Sequence, residues 1–354
     1  MESLERTRPT DLNDRGALED FTHPATTPHF LVTTPPMFLG IEIGGTKLQL
    51  GVGHGNGSEF VAFERRTVDI ARGAEGIREQ IRSVGRELIA AHRIERIGYG
   101  FGGPVLGARG LVQKSHQVSG WDNFPIVDWT RSELGVPTFL GNDCDVAALA
   151  EACFGAGRSA RSVFYTTVGT GIGGGLVFDR QIHGTDRPAA AEIGHLRPGL
   201  DATSSTNTVE SLAAGPGIAL ATRASLTALL EREPHSNDVR DLLARCQGNL
   251  DRLTTKEIGE AAVAGNRLAR EQYVAATRVL GWALAQVLTL VAPEVVIVGG
   301  GVSLVGEEVF FAPLRAAVQQ YVFTPLANSY RLDPAELGES VVVHGALALA
   351  RQSG

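Results

Sequence analysis

FLGIEIGGTKLQLGVG, Phe38 to Gly53, sets two apolar runs on either side of a Gly-Gly-Thr-Lys turn. The spacing predicts a β-hairpin whose tip is rich in backbone N–H groups. Glycine lets a backbone approach an anion closely and take positive φ, so that several N–H groups can point at one phosphate. GIEIGGTK comes near the GxxxxGK[ST] pattern, but Thr46 precedes Lys47 and a strand comes next, which excludes a Walker loop. A plain tight turn favours glycine too, so this hairpin alone decides little. The layout then returns in SVFYTTVGTGIGGGLVFDRQI, Ser162 to Ile182: apolar strand, Gly/Thr turn, apolar strand. GTGIGG at Gly169–Gly174 matches GxGxxG literally, yet it also opens onto a strand, whereas a dinucleotide fingerprint needs a helix there. The repetition reads as an internal duplication that starts each half of an α/β protein.

The rest of the chain fits two such halves. A third strand is expected in EFVAFERRTV, and a helix over 73–93 carries Ile77, Ile81, Val84 and Leu88 on one face. RIGYGFGGPV and VPTFLGND read as strands, and CDVAALAEACFG as the helix after them. Residues 215–290 are mostly helical. PEVVIVGGGVSLVGEEVFFAPLRAAVQQ is a buried strand, three glycines and a helix, ESVVVHG a last strand, and ALALARQ a short terminal helix. The expected division is an N-terminal extension over 1–36, an α/β domain over 37–152 and a larger one over 153–344, with the helix at 345–354 packed back on the first domain. Ligands favour the cleft between such halves, where loops at strand ends meet.

Composition narrows the function. A net charge of −7 and the lack of any basic stripe argue against a nucleic-acid surface. The three cysteines, Cys144, Cys153 and Cys246, form no CxxC or CxC pair, so a reducing cytoplasm is the simplest compartment. The first 36 residues are polar and Pro/Thr-rich with no apolar h-region; they read as a disordered extension and not a secretory signal. The longest apolar stretch, GWALAQVLTLVAPEVVIVGGG, is broken by Gln286, Thr289 and Pro293-Glu294, so no membrane span is expected.

Three glycine loops, Gly44-Gly45-Thr46 beside Lys47, Gly169-Thr170-Gly171, and Gly299-Gly300-Gly301, point to a nucleotide or polyphosphate cleft. LGNDCDVAALAE puts Asn142 and Asp143 where a strand passes into a helix. One reading is helix capping; the other is a carboxylate at the cleft mouth that serves as general base toward a hydroxyl, with the amide as a hydroxyl ligand. GWDNFPIVDW adds Trp121, Asp122 and Asn123. AAAEIGHLRPG sets Glu192 and His195 three apart, without the HExxH of a zinc protease, and Glu210 comes after a polar loop, DATSSTNTV.

Together, IEIGGTK, GFGGPV, GWDNFPI, GVPTFLGNDCDVAALAE, VGTGIGGGLVFD, AEIGHLRPG and IVGGGVS resemble the ROK family of sugar kinases and sugar-responsive repressors, in family order from Met37 to the end of the chain. The resemblance implies two actin-like (ribonuclease H-like) α/β domains around a cleft, and an ATP-dependent, glucokinase-like hexose kinase. By resemblance Asp143 takes the proton of the sugar's 6-hydroxyl, and Asn142, Glu192, His195 and Glu210 hold sugar hydroxyls. The loops at Gly44–Lys47 and Gly169–Gly171 cradle phosphates, Gly299–Gly301 face the adenosine, and Mg²⁺ bridges the phosphates. A homodimer is also implied. The chain departs from the family pattern at Glu42, where the family usually has an Asp near the metal, and at Gln117, where it often has Asn. It also lacks the CxCGxxGC run after the Gly-His pair, so no structural zinc is expected. The repressor branch carries an N-terminal winged helix, which 36 residues without an apolar helical period cannot build. A binding-only relative and a polyphosphate-dependent kinase are the other readings.

Overall fold

A computed structural model describes residues 35–353 except His116, Asp186 and Pro188. The expected disordered extension over 1–36 thus lies almost wholly outside the described residues. Strands β1 (Met37–Ile43), β2 (Lys47–Gly53), β3 (Ala62–Thr67), β4 (Ile94–Phe101), the short pair β5 (Val105–Leu106) and β6 (Leu111–Val112), and β7 (Thr138–Asn142) alternate with α1 (Gly73–Ala91) and α2 (Ile126–Leu134). After α3 (Asp143–Phe154) come β8 (Ser162–Val168), β9 (Ile172–Phe178) and β10 (Gln181–Ile182), then helices α4 (Val209–Ala213), α5 (Gly215–Arg232), α6 (Asn237–Arg245), α7 (Thr255–Val263) and α8 (Arg267–Val291). The chain ends with β11 (Val295–Gly299), α9 (Ala312–Tyr321), β12 (Arg331–Pro334) and α10 (Val341–Gln352).

The duplication is explicit in the strand orders. One five-stranded sheet runs β3-β2-β1-β4-β7 and the other β10-β9-β8-β11-β12. In each, the hairpin is antiparallel and the two later strands add in parallel to its first strand. Both halves are thus two copies of one actin-like α/β topology. Parallel addition requires crossover helices, and α1 supplies one with the expected face of Ile77, Ile81, Val84 and Leu88 buried. α8 is long and apolar enough to cross a membrane by length and composition; here Leu280, Leu284 and Leu288 are buried in the core of the second half.

The C-terminus differs from expectation. ESVVVHG is not a strand: Gly338–Ser340 form a 3₁₀ turn and α10 begins at Val341. Three consecutive valines favour a strand locally, but packing overrides that preference. α10 lies on β1 and β4 at backbone contact. A Cβ on Gly40 would sit 2.6 Å from the Val343 carbonyl, and one on Gly98 would sit 1.9 Å from that of Ala346.

The chain passes between the halves twice, from α3 to β8 over 155–161 and from β12 to α10 over 335–340. Glu151 on α3, fully buried, joins both passages. Its Oε2 accepts from Ala156 N at 2.9 Å, and its Oε1 accepts from Glu336 N and Leu337 N, each at 2.9 Å.

Candidate active site

The strand-to-helix junction gives Asn142 and Asp143 different places. Asn142 is the cap: with extended backbone, its Oδ1 accepts from Cys144 N at 2.8 Å, and its Nδ2 donates to the Gly103 carbonyl at 3.0 Å. That second bond ties the cap to the Gly102-Gly103 loop after β4. Asp143 is the first residue of α3 and accepts from Cys144 N at 2.9 Å. Burial pushes its carboxyl up to about 6, against that hydrogen bond, and the charge of Glu192 pushes the same way. A carboxylate that titrates near neutrality is a better proton acceptor than an ordinary aspartate and is still largely ionised at pH 7.

Asp143 opens on a cavity of about 410 Å³, lined also by Glu42, Lys47, Arg65, Gly300 and Gly301. A larger cavity of about 1010 Å³ is lined by Gly169, Thr170, Gly215, Arg223, Lys256 and, again, Gly301. Gly301 lines both spaces. Gly301 has open space where a Cβ would stand, as does Gly169. Gly300, at φ +90°, lets the chain turn out of β11 against the backbone of Val168. Gly299 belongs to the strand itself: a Cβ there would meet the Tyr165 hydroxyl at 2.7 Å, and it lines neither cavity. Beyond the glycines the chain forms a 3₁₀ turn, Gly301–Val305, before it reaches α9.

The other glycine loops are braced by side chains. Glu210, on α4, accepts from Ile172 N through Oε2 at 2.8 Å, which fixes the end of the Gly169-Thr170-Gly171 turn. Gly215 N at the start of α5 donates to Gly169 O at 2.8 Å. Between the first hairpin strands, Gly44 N donates to Lys47 O at 3.0 Å, and Thr46 is exposed. Gln117 covers Gly45 so closely that a Cβ there would fall 1.7 Å from its Oε1.

Lys47 Nζ stands 3.2 Å from Glu42 Oε1. Burial raises the Glu42 carboxyl and Lys47 opposes that. Mg²⁺ keeps several waters and needs few protein oxygens when phosphates supply the rest. Glu42 fits as an acceptor for such a hydrated ion, since a carboxylate offers about four lone-pair sites.

Glu192 precedes the 3₁₀ turn Ile193–His195, and its charge reaches Asp143. His195 ends that turn and is exposed. The loop onward to Glu210 is held by Arg197 Nη1 to Thr203 O at 2.9 Å, and by the Thr208–Ser211 capping box. Asn142 and Glu192 line a space of about 30 Å³, water-sized and well short of a hexose, together with Asp145.

Asp145 escaped the sequence reading because it is one acid among several on a helix start. Its Oδ1 is buried without a partner, and burial, then Asp143 and Glu192, push its carboxyl up to about 7 from 3.8. A folded-state value above the unfolded one means that the neutral acid stabilises the fold below pH 3.8, and this stabilisation is lost as pH rises through about 7. Asp145→Asn, which cannot ionise, is expected to raise Tm by roughly 2–6 °C at pH 8. The gain should shrink toward zero near pH 4 in a series of thermal melts; a gain independent of pH would refute the assignment.

The chain as a whole has relatives among known proteins. The ROK family model matches residues 38–353. A glucokinase of Streptomyces coelicolor is 30% identical over 322 residues, covering 89% of this chain and 97% of that protein. A xylose repressor of Caldicellulosiruptor bescii is 26% identical over 256 residues, 72% of this chain and 61% of the repressor. The crystal structure of a ROK family glucokinase from Streptomyces griseus in complex with glucose and AMPPNP superposes with a TM-score of 0.75 at 29% identity, over 90% of this chain and 100% of that one. Two matching actin-like sheets, glycine loops at the cleft and a family match that runs from β1 to the end of α10 carry one conclusion: the chain belongs to the ROK family.

Proposed function

We propose that this protein is an ATP-dependent hexose kinase, glucokinase-like, that phosphorylates the 6-hydroxyl of glucose or a related hexose. The observation that carries it is Asp143, with a carboxyl raised to about 6, on a cavity that shares Gly301 with a second, nucleotide-sized one. The Streptomyces griseus relative, solved with glucose and AMPPNP, supports the same pair of ligands.

In this reading Asp143 accepts the proton of the 6-hydroxyl as that oxygen bonds to the γ-phosphorus. The bond from the γ-phosphorus to the β,γ-bridging oxygen breaks, leaving ADP and the sugar 6-phosphate. Such a transfer depends on positioning and charge stabilisation. Backbone N–H groups of the Gly169–Gly171 and Gly44–Thr46 turns face the phosphates, and Lys47 adds a cation. Asn142, tied to Gly103, and Glu192, His195 and Glu210 hold the sugar. Glu42 would help hold a hydrated Mg²⁺, which would supply neutralising charge.

In this reading the 30 Å³ space beside Asn142 and Glu192 widens when the sugar binds. A coupled assay of purified protein with hexoses crossed against ATP·Mg²⁺ and inorganic polyphosphate tests the reading. Turnover is expected with ATP and with glucose or a close epimer or amino sugar. Sugar binding without turnover under any donor would replace it with a sugar-binding role, the class to which the repressor relative belongs.

A further inference from the structure

Arg65 belongs to none of the motifs above, yet the sheet register aims it at the site. Glu42 pairs with Gln49, and Gln49 with Arg65, directly across β1, β2 and β3. Residues opposite one another share a face, so the three side chains form one row beside the 410 Å³ cavity. Gln49 is fully buried in the middle of it. With its amide turned as its neighbours require, Gln49 nitrogen donates to Glu42 Oε2 at 2.5 Å. Its oxygen then accepts from Arg65 Nε at 2.9 Å and Nη2 at 2.7 Å. Glu42 is held at its other oxygen by Lys47. A buried amide therefore fixes the inner edge of the guanidinium.

The outer side is different. Arg65 Nη2 meets Glu339 Oε2 at 2.6 Å, but the Glu339 side chain is 77% exposed and that of Arg65 52%. An exposed pair of this kind contributes little and is readily exchanged for another anion. A guanidinium offers a planar fork that matches two phosphate oxygens, and charge-assisted bonds to phosphate are the stronger kind.

We propose that Arg65 is a ligand of the donor's terminal phosphates, exchanging Glu339 for β- and γ-phosphate oxygens when a nucleoside triphosphate lies across Gly301. The proposal rests on the kinase reading above and adds to it a residue on the edge strand of the first sheet. Nucleotide binding without turnover is the cleaner test, by calorimetry with AMPPNP·Mg²⁺ and with AMP on the parent, Arg65→Gln and Glu339→Gln proteins. R65Q should weaken AMPPNP roughly ten- to a hundredfold and leave AMP, which has no β- or γ-phosphate, within twofold. E339Q should bind AMPPNP at least as tightly as the parent. Equal AMPPNP affinity in R65Q and the parent overturns the proposal. So does equal loss of AMP, or a loss in E339Q as large as in R65Q, since each would make the pair a structural staple. A parent protein that binds neither nucleotide would overturn the kinase reading itself.

Discussion

Asp143→Asn is expected to lower kcat by about 10²–10⁴ while hexose affinity stays within a few-fold. The substitution preserves shape: an Asn at this position still offers Oδ1 to Cys144 N, and the Asn142 cap with its bond to Gly103 is untouched. The change removes the ability to take a proton. The parent's kcat/KM should fall with acid as a group near pH 6 protonates, and that limb should vanish from the residual activity of the variant. Asp143, Asp145 and Glu192 interact, so the midpoint belongs to the set and not to one carboxyl. Turnover in D143N close to the parental value would remove Asp143 from the chemistry, and lost sugar binding would make it a ligand instead. Calorimetry with glucose beside the coupled assay separates the two.

The largest loss of stability is expected at Glu151. Its two oxygens serve two separate chain passages, Ala156 on one side and Glu336 with Leu337 on the other. Glu151→Leu keeps the volume but leaves three backbone N–H groups without an acceptor, each costing about 1–3 kcal/mol. A total of roughly 3–9 kcal/mol, or failure to fold, is expected, a range that few single changes reach. Glu151→Gln keeps one acceptor oxygen and turns an amide N–H toward a backbone N–H, so its loss should be intermediate. Chemical denaturation of the three proteins measures the ranking. A Leu variant within about 1 kcal/mol of the parent would show that water or a backbone shift replaces the carboxylate.

Both residues lie in LGNDCDVAALAE, yet only one was readable as a candidate for chemistry. The strand–helix junction draws attention to Asn142 and Asp143, capping accounts for that pattern equally well, and the resemblance to the ROK family is what makes Asp143 a candidate base. Glu151 looks like any polar residue on a helix, because the partners of its Oε1 are backbone groups almost two hundred positions away. The same division holds elsewhere. Hairpin periodicity and Gly/Thr turns announced both sheets, since each is a local signal repeated twice. Val341–Val343 misled because β-branched residues report a local preference, whereas their helix depends on Gly40 and Gly98 from the far end of the chain. Arg65 was invisible for a related reason: only the pairing of three strands puts it in line with Glu42. Gly299 was grouped with its neighbours, although burial in β11 separates it from the open Gly301.

The seating of α10 has a consequence for biosynthesis. β1 and β4 come before α10 in chain order by the whole of the second half. Until α10 has been made, the glycine-floored trough over Gly40 and Gly98 has nothing to fill it, and Phe38 lacks its cover of Leu347 and Ala350. Apolar surface exposed in this way during synthesis favours aggregation and chaperone binding. The first sheet is therefore expected to close only after the second half has been synthesised.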